Sequence, residues 1–219
     1  MDGGFPIDLI LFGMIAAFLV LRLRSILGRR TGYERPTAAY QPPASPAAPV
    51  IEGRAEPVPP AASRVLPDPN SPAGQTLASM HATDPGFDPA GFLNGAEQAF
   101  RIIVEAFAKG DRAALRPLLS DTTYGAFDSA ITAREAAGHT QVSEMRAIQS
   151  ATIEQADLSG SIARLTVRFV SDQISLTRDA AGNPVAGTDA VTELVDLWSF
   201  ERNLSTQDPV WRLVAAASA

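Results

Sequence analysis

The sequence predicts an α+β domain, helices first and an antiparallel sheet after them, set behind a long proline-rich stretch. Three observations carry that expectation. Apolar residues recur at helical spacing between residues 88 and 138, the period falls to two after Gly138, and eleven of the 17 prolines crowd between Pro36 and Pro72. Such proline density favours extended backbone and leaves too little apolar patterning to bury a core. The 219 residues therefore divide into a terminal apolar segment with a basic flank (1–30), a disordered Pro/Ala-rich linker (31–87) and one domain (88–219).

Residues 5–21 are apolar apart from Asp8, but the uninterrupted part, residues 9–21, is short against the roughly 20 residues of a spanning helix. Extending the count to Leu23, with Arg22 snorkelling toward the headgroups, brings it to the lower limit for a span. A membrane anchor, a cleaved export signal and a buried core helix compete for this segment. Export signals carry positive charge before the apolar run. Here Asp2 and Asp8 precede or enter it, while Arg22, Arg24, Arg29 and Arg30 follow. That order favours an uncleaved, single-pass transmembrane anchor, with the N-terminus outside and the domain on the cytoplasmic face of an inner membrane. The four flanking arginines read as topology determinants first and as contacts for anionic lipid second. The linker, at about 3.1 Å per extended residue, would let the domain reach on the order of 150 Å, and PxxP matches such as Pro43 to Pro46 read as spacer.

Within the domain, Asp88 and Pro89 suit a helix cap followed by proline in the first turn. Phe92, Ala96, Phe100, Ile103 and Phe107 then share one face, and Gly110 stops the helix. Asp111 is placed to cap a short helix running through Leu119, and Asp121 a third with Tyr124, Phe127 and Ile131 inward and Gly138 as its stop. Ala163, Leu165, Val167 and Phe169 alternate with polar residues, as Leu194, Trp198 and Phe200 do later, with Trp211 and Leu213 in a last strand. Gly182, Asn183 and Pro184 mark a turn over residues 178–185.

Composition narrows the function. The net charge is −6, and from residue 92 onward 16 acidic residues face 11 basic ones, without the basic run that phosphate-backbone binding uses, so no direct nucleic-acid partner is expected. The lack of cysteine removes disulfides, thiolate nucleophiles and sulfur-ligated metals. Seventeen of the 18 basic residues are arginine, which reads as composition bias. Tyr124, Asp128, Asp172, Glu193 and Asp196 are the residues a catalytic pocket would draw on, yet each also reads as a cap, a solvated face or a packed ring. His81 falls in the linker and His139 just past a helix stop, and two histidines cannot build a histidine-rich metal site. No nucleophile–base pair or phosphate loop is present. No catalytic, cofactor-binding or metal residue is assigned, and no cofactor is expected. The aromatic set Phe100, Phe107, Tyr124, Phe127, Phe169, Trp198, Phe200 and Trp211 is read as core for the most part, with some members walling a pocket or partner surface.

The segments FLNGAEQAFRIIVEAFAKGD (92–111), LRPLLSD (115–121), AITAREAAG (130–138), LTVRFVSDQISLTRD (165–179), and DLWSFERNL followed by DPVWRL (196–213), in this order, resemble the Tim44-like domain family. That family includes the C-terminal domain of a peripheral subunit of the mitochondrial presequence translocase. The anchor and linker are similar to those of its bacterial members. The resemblance implies a cone-shaped fold like nuclear transport factor two, with a pocket between helix and curved sheet; in mitochondrial relatives an apolar cavity is thought to meet inner-membrane lipid. It also implies a non-catalytic adaptor beside a translocase, insertase or membrane-docked ribosome, with lipid as a further partner. The alternative is a small-molecule or lipid-binding, even enzymatic, pocket. A closed pocket holding two carboxylates, or a carboxylate and Tyr124, would favour the second; a filled core beside an exposed apolar groove would favour the first. Val210 stands where the family pattern leads one to expect a polar residue.

Overall fold

A computed structural model describes residues 62–218. The expected anchor, its arginines Arg22, Arg24, Arg29 and Arg30, and the linker up to residue 61 lie outside the described residues. Among the described residues no helix is long and apolar enough to cross a membrane.

A short strand β1 (Ser63–Val65) leads into four helices, α1 (Pro72–Thr83), α2 (Pro89–Lys109), α3 (Arg112–Leu115) and α4 (Asp121–Ala136). Four strands follow, β2 (Thr140–Ser159), β3 (Ile162–Arg178), β4 (Pro184–Asn203) and β5 (Arg212–Ser218). They lie side by side in sequence order; β1 pairs parallel to β2 and the other neighbours are antiparallel. Register shifts interrupt the β2–β3 ladder at three places and the β3–β4 ladder at two. Each extra residue bends its strand and adds twist, so the sheet curves around the helix it carries.

The helix signals act as predicted at α2. Asp88 accepts from the Ala90 and Gly91 amides, Pro89 opens the first turn, and Gly110 closes the helix at φ +71°. Phe92, Leu93, Ala96, Phe100 and Ile103 are buried against Ala163, Leu165, Val167 and Phe169 of β3 and Trp198 and Phe200 of β4. The period-two pattern thus fixed which face of the sheet turns inward. The turn marked by Gly182 and Asn183 is present, with the Asp179 carboxylate accepting from the Ala181 and Asn183 amides.

Three expectations are corrected. Residues 63–87, read as linker, belong to the folded unit: Ser71 caps α1, Pro72 takes its first turn, and Leu77 and Met80 are buried. A proline at the first helical position starts a helix, and averaging it with the linker prolines hid that role. The cap of α4 is Ser120, whose hydroxyl accepts from the Thr123 amide, and Asp121 sits in the first turn instead. The helix capped by Asp111 is a single turn ending at Leu115.

Candidate binding cleft

The first turns of α2 bury Phe92 and Leu93 toward the core and turn Gly91 and Gly95 toward the β4–β5 loop. Between them lies a cleft of about 420 Å³. Its floor is the α2 face carrying Gly91, Gly95 and Ala99, and its far wall is the β4–β5 loop with Pro209 and Val210. Phe87, Phe92 and Trp211 form its aromatic side. Phe92 meets Trp211 edge-to-face at 4.8 Å, Phe87 meets Trp211 at 5.8 Å, and Phe92 meets Phe200 at 6.0 Å. A Cβ added at Gly95 would find no atom within 4 Å, so space there is open above the helix backbone. A volume of this size, apolar with few polar groups at its edge, is what binding sites for small ligands or anchoring side chains offer.

Polar contacts hold the walls and leave the interior apolar. His81, on α1, donates from Nδ1 to the Phe87 carbonyl at 2.8 Å, the tautomer being fixed by the acceptor-only oxygen. Arg202 pairs with Asp84 at 2.9 Å, and its Nε donates to the Asp208 carbonyl at 3.0 Å, stapling the loop to the segment that presents Phe87. The Asp208 carboxylate accepts from the Val210 amide at 3.0 Å and pairs with Arg212. The amide bond first, then the guanidinium, holds its pKa below the usual carboxylate range.

The aromatic residues predicted from the sequence separate into three groups. Phe100, Phe169 and Trp198 are core: Phe100 stacks on Phe169 at 4.4 Å and meets Trp198 edge-on at 4.6 Å, and none is more than 2% exposed. Phe200 and Trp211 border the cleft, Phe200 from beneath. Phe107, Phe127 and Tyr124 gather elsewhere, where α4 packs on the end of α2. Phe107 meets Phe127 at 5.1 Å, Arg134 lies over the Phe107 ring and donates to the carbonyls of Phe107 and Ala108, and Arg116 lies over Tyr124. Burial lowers the pKa of Arg134, while Glu135, hydrogen-bonded to Arg112, is held low.

Of the carboxylates named from the sequence as catalytic candidates, Asp128, Asp172, Glu193 and Asp196, none lines the cleft; the carboxylate that does is Asp88, which caps α2. Asp128 pairs with Arg112 at 2.6 Å, Asp172 accepts from Gln149 at 2.6 Å, and Glu193 is exposed across from Asp172 in the β3–β4 register. Asp196 is buried on the Trp198 face of β4. Among the described residues no three His, Asp or Glu side chains converge to hold a metal.

Sequence reasoning missed Phe87 and the glycine floor because both sit at or near a helix start, where apolar periodicity gives no signal. It also missed Glu97, buried on α2 and held bidentately by Arg64 of β1 at 2.8 and 3.1 Å. His81, assigned to the linker, lies one hydrogen bond from the cleft wall.

The sequence model of the Tim44-like domain matches residues 73–218. The chain belongs to that family. The match opens at α1, in keeping with the longer folded unit. Among curated proteins none matches the chain. Solved structures similar to it include the intermembrane space region of the chloroplast protein ARC6, at 11% identity and TM-score 0.45 over 61% of this chain and 98% of that one. Another is a candidate dehydratase of the NTF2-like family from Streptomyces avermitilis, at 13% and 0.37 over 60% and 96%. A conserved protein from Planctomyces limnophilus is similar at 17% and 0.32 over 56% and 90%. In this Tim44-like domain the departure at Val210 places an aliphatic side chain on the cleft wall.

Proposed function

We propose that this Tim44-like protein is a membrane-tethered, non-catalytic docking module whose cleft takes an apolar segment of a protein partner at the cytoplasmic face of an inner membrane. The observation that carries the reading is the contrast between a filled aromatic core and an open apolar cleft beside it. An unfilled apolar surface rimmed by polar contacts is an interaction site by its energetics, since water is displaced from it at little polar cost. The carboxylate at the cleft, Asp88, is engaged in capping α2, and Asp128, Asp172, Glu193 and Asp196 lie outside the lining. Partners of the expected kind are a translocase, an insertase or a membrane-docked ribosome, and the tether raises the local concentration of the module beside them. The cleft volume also suits a small apolar ligand or lipid chain, which is the second reading.

A photoreactive residue at Val210, compared with one at Val142 on the exposed part of β2, tests the proposal in native membranes. Capture of one inner-membrane machine from position 210 and not from 142 is expected. Capture of lipid alone would favour the second reading, and equal capture from both positions would overturn the first.

A further inference from the structure

One face of the sheet carries apolar residues that the core does not use. The strand positions turned toward the helices, Val167 and Phe169 among them, are core. The intervening positions belong to the outer face, and an antiparallel sheet solvated on one side carries polar residues there. This sheet departs from that rule. Val170 of β3 stands opposite Val195 of β4, Leu197 follows two residues on, and Ile174 and Leu176 continue along β3 beside Val142 of β2. Leu176 is buried and the others are half-buried or exposed, yet none belongs to the core or packs against it. Val65 of β1 adds an exposed side chain to the row of Thr152, Arg168, Leu197 and Ala217 that crosses all five strands.

Extent and charge make this face complementary to itself. Strands about 4.8 Å apart give it a width of roughly 10 to 20 Å, and the stretch from Arg168 to Leu176, at about 3.3 Å per residue, a length of roughly 27 Å. Two copies packed through it bury on the order of 1,000 Å², enough for a specific association of the weaker kind. The charges are disposed about Val170. Arg168 lies two residues to one side, only 3.7 Å from Glu154; Asp172 lies two residues to the other, opposite the exposed Glu193. A two-fold axis running across the strands at Val170 sets Arg168 of each copy over Asp172 and Glu193 of the other. An axis along the strands would set Arg168 over Arg168, a repulsive arrangement. Asp172, Glu193 and Glu144, all on this face, also disfavour an anionic bilayer as its cover.

We propose that the outer face of the sheet is a homodimer interface, in which two copies pack sheet on sheet about a two-fold axis at Val170, with Arg168 paired across it to Asp172 and Glu193. Facing sheets lie about 10 Å apart, so Val170 and Val195 of the two copies meet between the charged rows. The helices and the cleft are on the opposite face, so both clefts stay open in the pair. Two clefts on one particle strengthen the hold on any partner that offers two segments. The dimer itself does not depend on what the clefts bind.

Sedimentation equilibrium of the full-length chain in nonionic detergent reads the association directly. A monomer–dimer equilibrium is expected, with a dissociation constant on the order of 1 μM. Arg168→Asp sets like charges across the axis, as does Asp172→Arg, and each is expected to weaken the dimer roughly tenfold or more. The double variant restores opposite signs at the two positions and is expected to recover most of that loss. Both sites lie outside the core, and the urea midpoints of the variants check that they fold alike. The chain has no cysteine, so Val170→Cys supplies a single thiol at the axis. A short bismaleimide is expected to join two copies through it, and not through Gly125→Cys on α4. A chain monomeric at every concentration, a dimer indifferent to both charge reversals, a double variant no stronger than the single ones, or equal joining from the two thiols would each overturn the inference.

Discussion

Two aromatic trios, each with one ring on α2, do opposite things. Phe100 stacks on Phe169, Trp198 meets both edge-on, and all three are buried between α2, β3 and β4. Phe92 meets Trp211 edge-on, Phe87 meets it tilted, and the three leave about 420 Å³ beside them. The side-chain chemistry is the same, so the difference lies in the backbone opposite. The core trio faces continuous strands, which bring side chains in at the close spacing a sheet imposes. The cleft trio faces a loop and a helix floor of Gly91 and Gly95, neither of which supplies a side chain to fill the space. Binding capacity here arises where α2 turns glycines toward the β4–β5 loop.

The comparison can be strained from its strongest side first. Phe169→Ala empties the closed trio, and a loss of about 3–5 kcal/mol is expected in urea unfolding, as for fully buried aromatics. Arg64→Ala leaves the Glu97 carboxylate buried without its partner; because Arg64 is itself 42% exposed, the cost is expected to be smaller, about 1–2 kcal/mol, with loosening of β1 visible by hydrogen exchange. Trp211→Ala removes a half-buried ring from the open trio and should cost only about 1 kcal/mol, yet reduce partner capture from position 210 roughly tenfold, a change worth about 1.4 kcal/mol. The smallest stability effect is electrostatic. Asp208 has a depressed folded pKa, so its contribution is fully present above the unfolded value of about 3.9 and is lost as pH falls through the lower folded value. Trp211 fluorescence should therefore hold constant down to about pH 4 and change only below it.

Much of the fold was legible because its elements depend on local rules. Asp88, Pro89 and Gly110 bound α2 by capping chemistry, and alternation from Ala163 to Phe169 set the buried face of β3. The first half of β2 was not legible. Residues 140–147 alternate between exposed and half-buried, but their chemistry does not follow, with Val142 exposed and Gln141 and Ser143 on the half-buried side, and the strand is held by its long pairing with β3. Nor was α1, whose Ser71–Pro72 start was absorbed into a proline-rich average. The cleft was legible only in part. Trp211 and Phe200 could be named as candidates, but whether a ring is sealed in or left at an edge depends on contacts across the β4–β5 loop, which no local pattern encodes.

Gly95→Leu separates the cleft from the core most directly, because it places a side chain into open space on an exposed helix position. Replacing glycine by leucine within a helix should raise stability by about 0.5–1 kcal/mol, while the added side chain fills the docking space. The measurement is crosslinking from Val210 in native membranes, made alongside the urea midpoint of the same variant. The account predicts a higher midpoint with capture of the partner largely lost. Capture undiminished at the higher midpoint would contradict it, because the partner would then be docking somewhere other than this cleft.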